Sequence, residues 1–294
     1  MTNIDKINLE KLKARKSIKE LLEFGIINID KPSGPTSFDV SEFVMKALNA
    51  RKTSHFGTLD PKVTGVLPIA LNRACKLTGF FLGEDKEYIG IMRLHEPVSP
   101  EVLEKAIKDF TGKIMQLPPV KSRVARVVRE REIKSFEVLE TKEQDILFRV
   151  SCQGGTYIRK LIHDLGEKLG IGAHMLELRR IRAGIFKEEN SVNLYDFEKA
   201  ADEYKKGNEE LLKNIISPGE IIIELYPEIQ IKQDSSERIL RGQPIYKKNL
   251  VKEVKMEKQN RISVFCRDRF IGVFTVILEG EVFAKPEFVM QPIK

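Results

Sequence analysis

Phe24-Gly-Ile-Ile-Asn-Ile-Asp30 and the Lys31-Pro-Ser-Gly-Pro-Thr36 that follows it decide the character of the fold. The first stretch is a short apolar run that predicts a β-strand, and the prolines and glycine of the second predict a loop. A helix is predicted to begin at a Thr36 or Ser37 cap. Its buried face repeats at helical spacing and consists of Val40, Phe43, Val44, Ala47 and Leu48. A strand, a loop and a helix in succession indicate mixed α and β structure.

The rest of the chain shows the alternating pattern of strands and the helical spacing of apolar residues in turn. Alternating apolar residues predict strands, because one face of a half-buried strand is apolar. Apolar residues at helical spacing predict helices, which Gly112 and Gly170 are expected to end. The further predicted elements are strands over 88–94 and 146–152 and helices over 100–110, 158–169 and 196–214.

Composition divides the chain near residue 217, where Ser217-Pro-Gly219 interrupts the last predicted helix. Beyond that point the chain consists of short apolar runs separated by turns, as in a small β-barrel or sandwich. We therefore expect an α+β protein with a mixed-sheet domain over residues 24–217 and a small β-barrel domain over residues 222–294. Residues 1–23 are charged and are expected to form an N-terminal arm.

The composition of the 294 residues excludes several classes of protein. Hydrophobic residues make up 41%, which is too many for a disordered chain. No apolar run approaches the roughly 18 residues of a membrane span, and the polar N-terminal stretch is not a signal peptide. The three cysteines lie far apart, so we expect no zinc site, no disulfide framework and a reducing compartment. A net charge of +7 points weakly to a polyanionic partner.

The segment Ser54-His-Phe-Gly-Thr-Leu-Asp-Pro-Lys-Val-Thr-Gly-Val-Leu-Pro68 carries the first candidate catalytic side chains. Asp60 precedes a proline, which biases it toward an extended or turn conformation. From the residues alone, a turn-forming aspartate is the commoner case, and His55 is more often a structural or surface histidine. The alternative is acid–base or nucleophilic catalysis by the two side chains. A phosphoaspartate is disfavoured, because Asp60 follows Gly-Thr and no second acidic cluster accompanies it.

The segment Gln153-Gly-Gly-Thr-Tyr-Ile-Arg159 carries the second set of candidates. If residues 155–159 are extended, Tyr157 and Arg159 point to the same face and could hold a nucleobase and a carboxylate or phosphate. An interfacial tyrosine and a solvated arginine are the commoner case. Two basic stretches offer phosphate contacts, although runs of charge usually form solvated faces. Their candidate residues are Lys121, Arg123, Arg126, Arg179 and Arg180.

Six blocks, taken in order, resemble the TruB/dyskerin family of pseudouridine synthases, and the resemblance runs from about Phe24 to the C-terminus. Any one tripeptide would be noise, but six in the family's order make chance negligible. The blocks are Gly25-Ile-Ile-Asn-Ile-Asp-Lys-Pro-Ser-Gly-Pro-Thr-Ser37, Gly57-Thr-Leu-Asp-Pro61 with Thr64-Gly-Val-Leu-Pro68, Lys86-Glu-Tyr88, Leu117-Pro-Pro-Val-Lys-Ser122, Gly155-Thr-Tyr-Ile-Arg159 and Gly172-Ala-His-Met-Leu-Glu-Leu-Arg-Arg180.

The resemblance implies a role for each matching residue. Asp60 matches the family's catalytic aspartate, and Arg159 matches the arginine that pairs with it. Tyr88 matches the tyrosine that stacks on the target base, and Tyr157 matches its neighbour in the pocket. Leu178 matches an apolar pocket wall and His55 a loop histidine that contacts the substrate.

The resemblance also implies a setting and partners. Residues from about 222 resemble the family's PUA domain, which grips guide or transfer RNA. Tyr88 runs to Leu117 without the insertion of bacterial stand-alone enzymes, which favours the archaeal type and a cytoplasmic location. That type works with H/ACA guide RNA and small partner proteins of the Nop and Gar type. Isomerisation of uridine transfers no electrons or groups, so no cofactor and no metal are expected.

Two positions depart from the family pattern, and several functions stay open. Phe56 stands where the family usually carries a small residue, and Ser54 where it often carries glycine. The bulky ring of Phe56 either narrows the pocket or adds an apolar contact. Uridine 55 of tRNA and guide-selected uridines of rRNA compete as substrates. A non-catalytic RNA-binding scaffold is the alternative function, and a phosphoryl-transfer enzyme is disfavoured.

Overall fold

The structure is a computed structural model that describes residues 6–118 and 125–290. These residues form two compact units. The larger unit runs from Leu22 to Ile216, and the smaller unit combines the residues up to Leu21 with those from Ser217 onward. Both contain helices and strands, so the predicted α+β class is confirmed. In the part of the chain that the structure describes, no helix is long and apolar enough to cross a membrane.

A mixed β-sheet forms the centre of the larger unit. Its strands are β1 Gly25–Lys31, β2 Thr53–His55, β3 Thr64–Leu71, β4 Lys86–Leu94, β5 Gly112–Gln116, β6 Arg129–Lys142, β7 Asp145–Cys152, β8 Ala173–Ala183, β9 Phe186–Lys187 and β10 Val192–Asn193. The main path of the sheet runs β10-β1-β3-β8-β4-β7-β6-β5, with β2 paired to β3 and β9 to β8. The β1–β10 and β3–β8 pairs are parallel, and β4 pairs antiparallel with both neighbours.

The helices complete the two units. The α-helices are α1 Leu9–Arg15, α2 Ile18–Glu23, α3 Ser37–Ala47, α4 Thr78–Leu82, α5 Pro100–Asp109, α6 Ile158–Leu169, α7 Leu194–Lys205, α8 Glu210–Ile215 and α9 Ser236–Leu240. Short 3-10 helices span Asn72–Leu77, Glu188–Asn190, Gly219–Glu224, Gln233–Ser235 and Lys247–Asn249. The predicted start of α3 is confirmed: the Thr36 hydroxyl accepts from the Asp39 amide, and the Asp39 carboxylate accepts from the Thr36 amide.

The single helix predicted over residues 196–214 is wrong, because two helices occupy that stretch. α7 ends at a cap residue, Lys206, and Gly207 follows in the left-handed region with φ +96°. Glycine adopts that conformation without steric cost, so the chain turns there and α8 begins separately. The Asn208 side chain accepts from the Glu210 amide at 3.2 Å at the start of α8.

The smaller unit contains a five-stranded sheet that fits the expected PUA domain. Its strands are β12 Glu228–Gln230, β13 Ile245–Tyr246, β14 Arg261–Cys266, β15 Arg269–Glu279 and β16 Val282–Val289, in the order β12-β14-β15-β16-β13. A further strand, β11 Ile216–Pro218, lies in sequence where the two units meet. A buried cluster that includes Val264, Phe274 and Phe283 forms the core of this unit.

The N-terminal residues belong to the smaller unit from residue 6 to Leu21 and do not form the expected free arm. Lys16 forms an ion pair with Glu220, with 2.6 Å between Nζ and Oε1, and both side chains are largely buried. The Ile7 amide donates to the Glu228 carboxylate at 2.9 Å. Sequence reasoning missed this docking because the stretch is dominated by charge.

The register of three strands brings distant residues together in the larger unit. Tyr88 of β4 lies directly opposite Arg180 of β8, and Gly90 lies opposite Leu178. On the other side of β8, Gly65 of β3 lies beside Arg180. A Cβ atom on Gly65, whose φ is +101°, would lie 2.2 Å from the Arg180 carbonyl oxygen. This close approach of two backbones therefore requires glycine.

We expect Gly65→Ala to destabilise the larger unit by at least about 2 kcal/mol more than Gly34→Ala does, because the new methyl group would collide with backbone. Gly34 is a matched control, since its φ is +116° and a Cβ there would meet nothing within 4 Å. Urea denaturation of the two variants measures the difference. An equal loss of stability in both variants would contradict this expectation, because it would show that β3 and β8 can move apart at no cost in free energy.

Candidate active site

Asp60 lies on a connection between β2 and β3, residues 56–63, which we call the Asp60 loop. Three of its backbone contacts hold it against the sheet and α3. The Phe56 amide donates to the Pro68 carbonyl at 2.9 Å. The Ser37 hydroxyl donates to the Leu59 carbonyl at 3.0 Å and accepts from the Leu59 amide at 2.8 Å. Ser37 thus fixes the residue that immediately precedes Asp60.

The buried ammonium group of Lys31 fixes the other side of the loop. Its Nζ donates to the carbonyl oxygens of Pro32 at 2.7 Å and of Pro61 and Val63 at 2.9 Å each. Burial lowers the pKa of Lys31, and the nearby negative charge of Asp60 opposes that change. The lysine therefore holds the part of the loop that follows Asp60 against the residue that follows β1.

Asp60 and Arg159 form an ion pair, with 2.9 Å between Oδ2 and Nη2. Both side chains stay accessible, at 46% and 57% exposure respectively. The carboxylate therefore has a fixed cationic partner and an open side. The sequence resemblance paired these two residues, and the structure brings them together.

The interpretation of residues 155–159 as extended is wrong. Tyr157 is the N-cap of α6, and Arg159 is the second residue of that helix. Gln116 of β5 holds the cap in place: its Oε1 accepts from the Tyr157 amide at 3.0 Å, and its Nε2 donates to the Tyr157 carbonyl at 3.2 Å. Sequence analysis missed Gln116, which is buried and carries no motif signal.

Arg180 is buried beneath the site, with only 1% of its surface exposed. Its Nε donates to the Val66 carbonyl at 2.7 Å, and its Nη2 donates to the Gly57 carbonyl at 3.1 Å. The predicted contact of Arg180 with an RNA backbone is therefore wrong, because the guanidinium group lies inside the protein. It ties the Asp60 loop to β3 and β8 instead.

Tyr88 and Leu178 line the same region from the sheet. Both are buried, and Tyr88 faces Arg180 across the β4–β8 pair. Burial raises the pKa of the Tyr88 phenol, an effect that the positive charge of Arg180 opposes. The phenol therefore stays protonated at neutral pH and presents a neutral aromatic ring.

Lys86 is buried, like Lys31 and Arg180. The sequence analysis did not select it as a site residue, although it is the first residue of the Lys86-Glu-Tyr88 block. Its Nζ donates to the carbonyl oxygens of Phe81 and Leu82 at 3.4 Å each, and to that of Glu84. Burial, reinforced by the charge of Arg180, lowers the pKa of Lys86 to about 8. The side chain satisfies carbonyls at the end of α4, close beside the Asp60 loop.

Two family models match consecutive parts of the chain. The model described as the N-terminal domain of the TruB family pseudouridylate synthases matches residues 45–158. The model described as the tRNA pseudouridylate synthase B C-terminal domain matches residues 159–224. The chain belongs to the TruB family of pseudouridine synthases. It is therefore an isomerase that converts uridine to pseudouridine, as the sequence predicted.

Individual relatives agree with this assignment. A probable tRNA pseudouridine synthase B of Methanopyrus kandleri is 48% identical over 228 residues, which cover 77% of this chain and 68% of that protein. The Archaeoglobus fulgidus protein of the same name is 40% identical over 270 residues, which cover 91% of this chain and 83% of that protein.

Solved structures match over nearly the whole chain. A chain in the crystal structure of a Cbf5-Nop10-Gar1 complex aligns with a TM-score of 0.87 and 36% identity, covering 95% of this chain and 89% of that one. A chain from an H/ACA RNP bound to a substrate RNA containing 2'-deoxyuridine aligns with a TM-score of 0.86 and 34% identity.

The departure from the TruB family pattern at Phe56 is resolved by its packing. The ring is buried and stacks on Phe81, with ring centroids 4.6 Å apart and an angle of 11° between the ring planes. Phe186 contacts both rings, at 5.8 Å and 5.4 Å. Phe56 therefore adds an apolar anchor to the Asp60 loop, which was one of the two expected effects of the bulky ring.

His55 ends β2 beside the Asp60 loop and is half-buried. Burial lowers the pKa of its imidazole, and the positive charge of Arg180 lowers it further. Its buried Nδ1 has no hydrogen-bond partner among the described residues. The imidazole is therefore neutral at pH 7, and one ring nitrogen keeps its hydrogen-bonding capacity.

The predicted RNA-backbone contacts differ in their surroundings. Lys121 and Arg123 lie outside the described residues, and Arg126 is exposed. Arg179 forms ion pairs with Asp30, at 2.9 Å, and with Glu188. Two carboxylate partners favour a structural role for Arg179, whereas Arg126 stays a predicted phosphate contact.

We expect Arg180→Gln to lower the free energy of unfolding by about 2–5 kcal/mol, because the change leaves buried carbonyls unpaired. Arg126→Gln, the exposed control, should change it by no more than about 0.5 kcal/mol. Urea denaturation compares the two. Wild-type stability of Arg180→Gln together with a weaker salt dependence of RNA binding would instead place this guanidinium at the RNA surface.

Proposed function

We propose that Asp60 is the catalytic residue with which this TruB-family chain isomerises uridine in RNA. The observation that carries the proposal is the ion pair between Asp60 and Arg159, in which a half-exposed carboxylate sits on a firmly anchored loop. The reaction needs a negatively charged carboxylate, and Arg159 places a positive charge and a hydrogen-bond donor beside that of Asp60. The open side of Asp60 leaves room for the ribose of the substrate.

The isomerisation of uridine to pseudouridine proceeds in three parts. The base–sugar C–N bond must break, the base must turn, and its C5 must join the sugar. Asp60 serves either as nucleophile at the anomeric carbon or as base on the sugar, and both routes require its negative charge. The target nucleotide must leave any base stack to reach this carboxylate.

The neighbouring side chains would hold the turned-out base. Stacking on an aromatic ring such as that of Tyr88 contributes about 1–3 kcal/mol per base. Leu178 shares the face of the sheet that Tyr88 occupies and would supply an apolar wall. Tyr157 caps the helix that carries Arg159, and His55 flanks the Asp60 loop with a neutral imidazole. These four residues form the proposed substrate pocket.

We expect Asp60→Asn to reduce turnover about 1000-fold or more, because the amide keeps the size of the carboxylate but loses its charge. RNA affinity should stay within a few-fold of wild type, since phosphate contacts dominate affinity. Tritium release from RNA labelled at uridine C5 measures turnover. Asp109→Asn is the matched control. Asp109 also forms an ion pair, with 2.6 Å between its Oδ2 and the Nζ of Lys168, but it lies on α5 and not on the Asp60 loop. Comparable tritium release by both variants would remove Asp60 from the mechanism.

The substrates that we propose follow the relatives and the matched structures. The solved chains that match over 95% of this chain come from a Cbf5-Nop10-Gar1 complex and from an H/ACA RNP with substrate RNA. We therefore assign the chain to a guided particle with H/ACA guide RNA, small proteins of the Nop and Gar type, and rRNA uridines as targets. Curated relatives carry the name tRNA pseudouridine synthase B, which supports uridine 55 of tRNA as a second substrate.

The remaining assignments rest on the same comparison. Residues 222–294 would grip guide or transfer RNA, as a PUA domain does, with the basic side chains of the unit contacting phosphates. The protein would work in the cytoplasm, where its RNA substrates are available.

Tritium release with and without guide components distinguishes the two substrates. We expect release from an rRNA fragment only when an H/ACA guide RNA and the small partner proteins are added to the chain. Release from a tRNA transcript by the chain alone would establish stand-alone tRNA modification. Release from the rRNA fragment without a guide would contradict the guided assignment, and Asp60→Asn serves as the blank in each reaction.

A further inference from the structure

Phe38 is an exposed aromatic side chain that the proposed pocket does not use. It lies in the first turn of α3, and 63% of its surface is open to solvent. Single exposed apolar side chains are common on protein surfaces, so the exposure of Phe38 gains meaning only from the residues around it.

Two residues that precede Phe38 are hydrogen-bonded to the Asp60 loop. Its neighbour Ser37 forms both hydrogen bonds to Leu59, the residue before Asp60. The amide of Gly34, four residues before Phe38, donates to the carbonyl of Pro61, the residue after Asp60, at 2.9 Å. Residues 34–37 therefore run alongside the loop, and Phe38 follows directly after them in the first turn of α3.

The packing of α3 keeps Phe38 away from the helix that covers its other flank. Phe43 of α3 contacts Phe197 of α7 edge to face, with centroids 5.9 Å apart. Phe43 is five positions after Phe38, so the two side chains point about 140° apart around the helix axis. Phe38 thus leaves the surface of α3 that α7 covers.

The charges around this position suit a nucleic acid strand. Lys62 of the Asp60 loop is exposed, and Arg159 is more than half exposed beside Asp60. Aromatic rings next to cations form the usual surface for single-stranded RNA, since bases stack on the rings and phosphates meet the cations. A target uridine turned out toward Asp60 also leaves its neighbours unstacked on one side.

We propose that Phe38 is a stacking site for a nucleobase adjacent to the target uridine in the substrate RNA. The proposal rests on the proposed function, because it requires an RNA strand that enters the pocket at Asp60. It adds a contact outside the pocket, which grips the strand next to the nucleotide being isomerised. Phe38 thereby contributes to RNA affinity without touching the reacting atoms.

A tryptophan reporter tests the proposal directly, because the chain contains no tryptophan of its own. In Phe38→Trp the indole should be quenched when a base stacks on it. In Tyr195→Trp, the matched control, the indole replaces a ring that is 76% exposed on α7 of the same unit, and no quenching is expected. The partner proteins, the H/ACA guide RNA and an rRNA fragment are added in turn to the full chain, and a tRNA transcript is titrated separately.

We expect quenching in Phe38→Trp when substrate RNA is added, and not in Tyr195→Trp. Absence of quenching at saturating RNA, or equal quenching in both variants, would overturn the proposal. A spectral change in Phe38→Trp when the partner proteins alone are added would assign the ring to a protein contact and also overturn it. Electrophoretic mobility shifts confirm saturation at each step.

Affinity measurements separate stacking from simple apolar contact. We expect Phe38→Ala and Phe38→Leu to raise the Kd for substrate RNA about 5- to 100-fold, and Phe38→Tyr to restore it, because only aromatic rings stack. Wild-type affinity of Phe38→Leu would overturn the stacking role. Wild-type tritium release on the same RNA tests the proposed function separately, so failure of one is not mistaken for failure of the other.

Discussion

A backbone loop outside a regular ladder must find partners for its own polar groups, and the Asp60 loop finds them in buried side chains. Lys31 and Arg180 donate to its carbonyls, and Ser37 bonds both polar groups of Leu59. Each of these donors is itself buried, so a shift of the loop would leave charges and carbonyls unpaired away from water. The orientation of Asp60 toward Arg159 depends on this set of contacts.

Burial sorts the cations around the site into two groups with different tasks. Lys31, Lys86 and Arg180 lie inside the protein and bind backbone carbonyls, so they shape the floor of the site. Arg159 and Lys62 face solvent and stay available to a carboxylate or a phosphate. Residue type alone does not reveal this division, because arginine and lysine serve both purposes.

Periodicity predicted the elements well where one residue pattern governed them. The Thr36 cap of α3 and the alternation of β7 follow directly from local spacing. Local patterns predicted less of the site. Asp60 taken alone is typical of a turn, and only the family resemblance paired it with Arg159, which is 99 positions later in the sequence. Arg180 was misassigned because its burial arises from the register of β3, β8 and β4, which no local pattern encodes.

The smaller unit draws on both ends of the chain, since residues 6–21 join those from Ser217 onward. During synthesis residues 6–21 leave the ribosome before the larger unit does and must wait until the segment from Ser217 onward has followed. The larger unit is contiguous in sequence and can fold during that interval. The smaller unit therefore folds after the larger one, and a chain that lacked the segment from Ser217 onward would leave residues 6–21 without the rest of their unit.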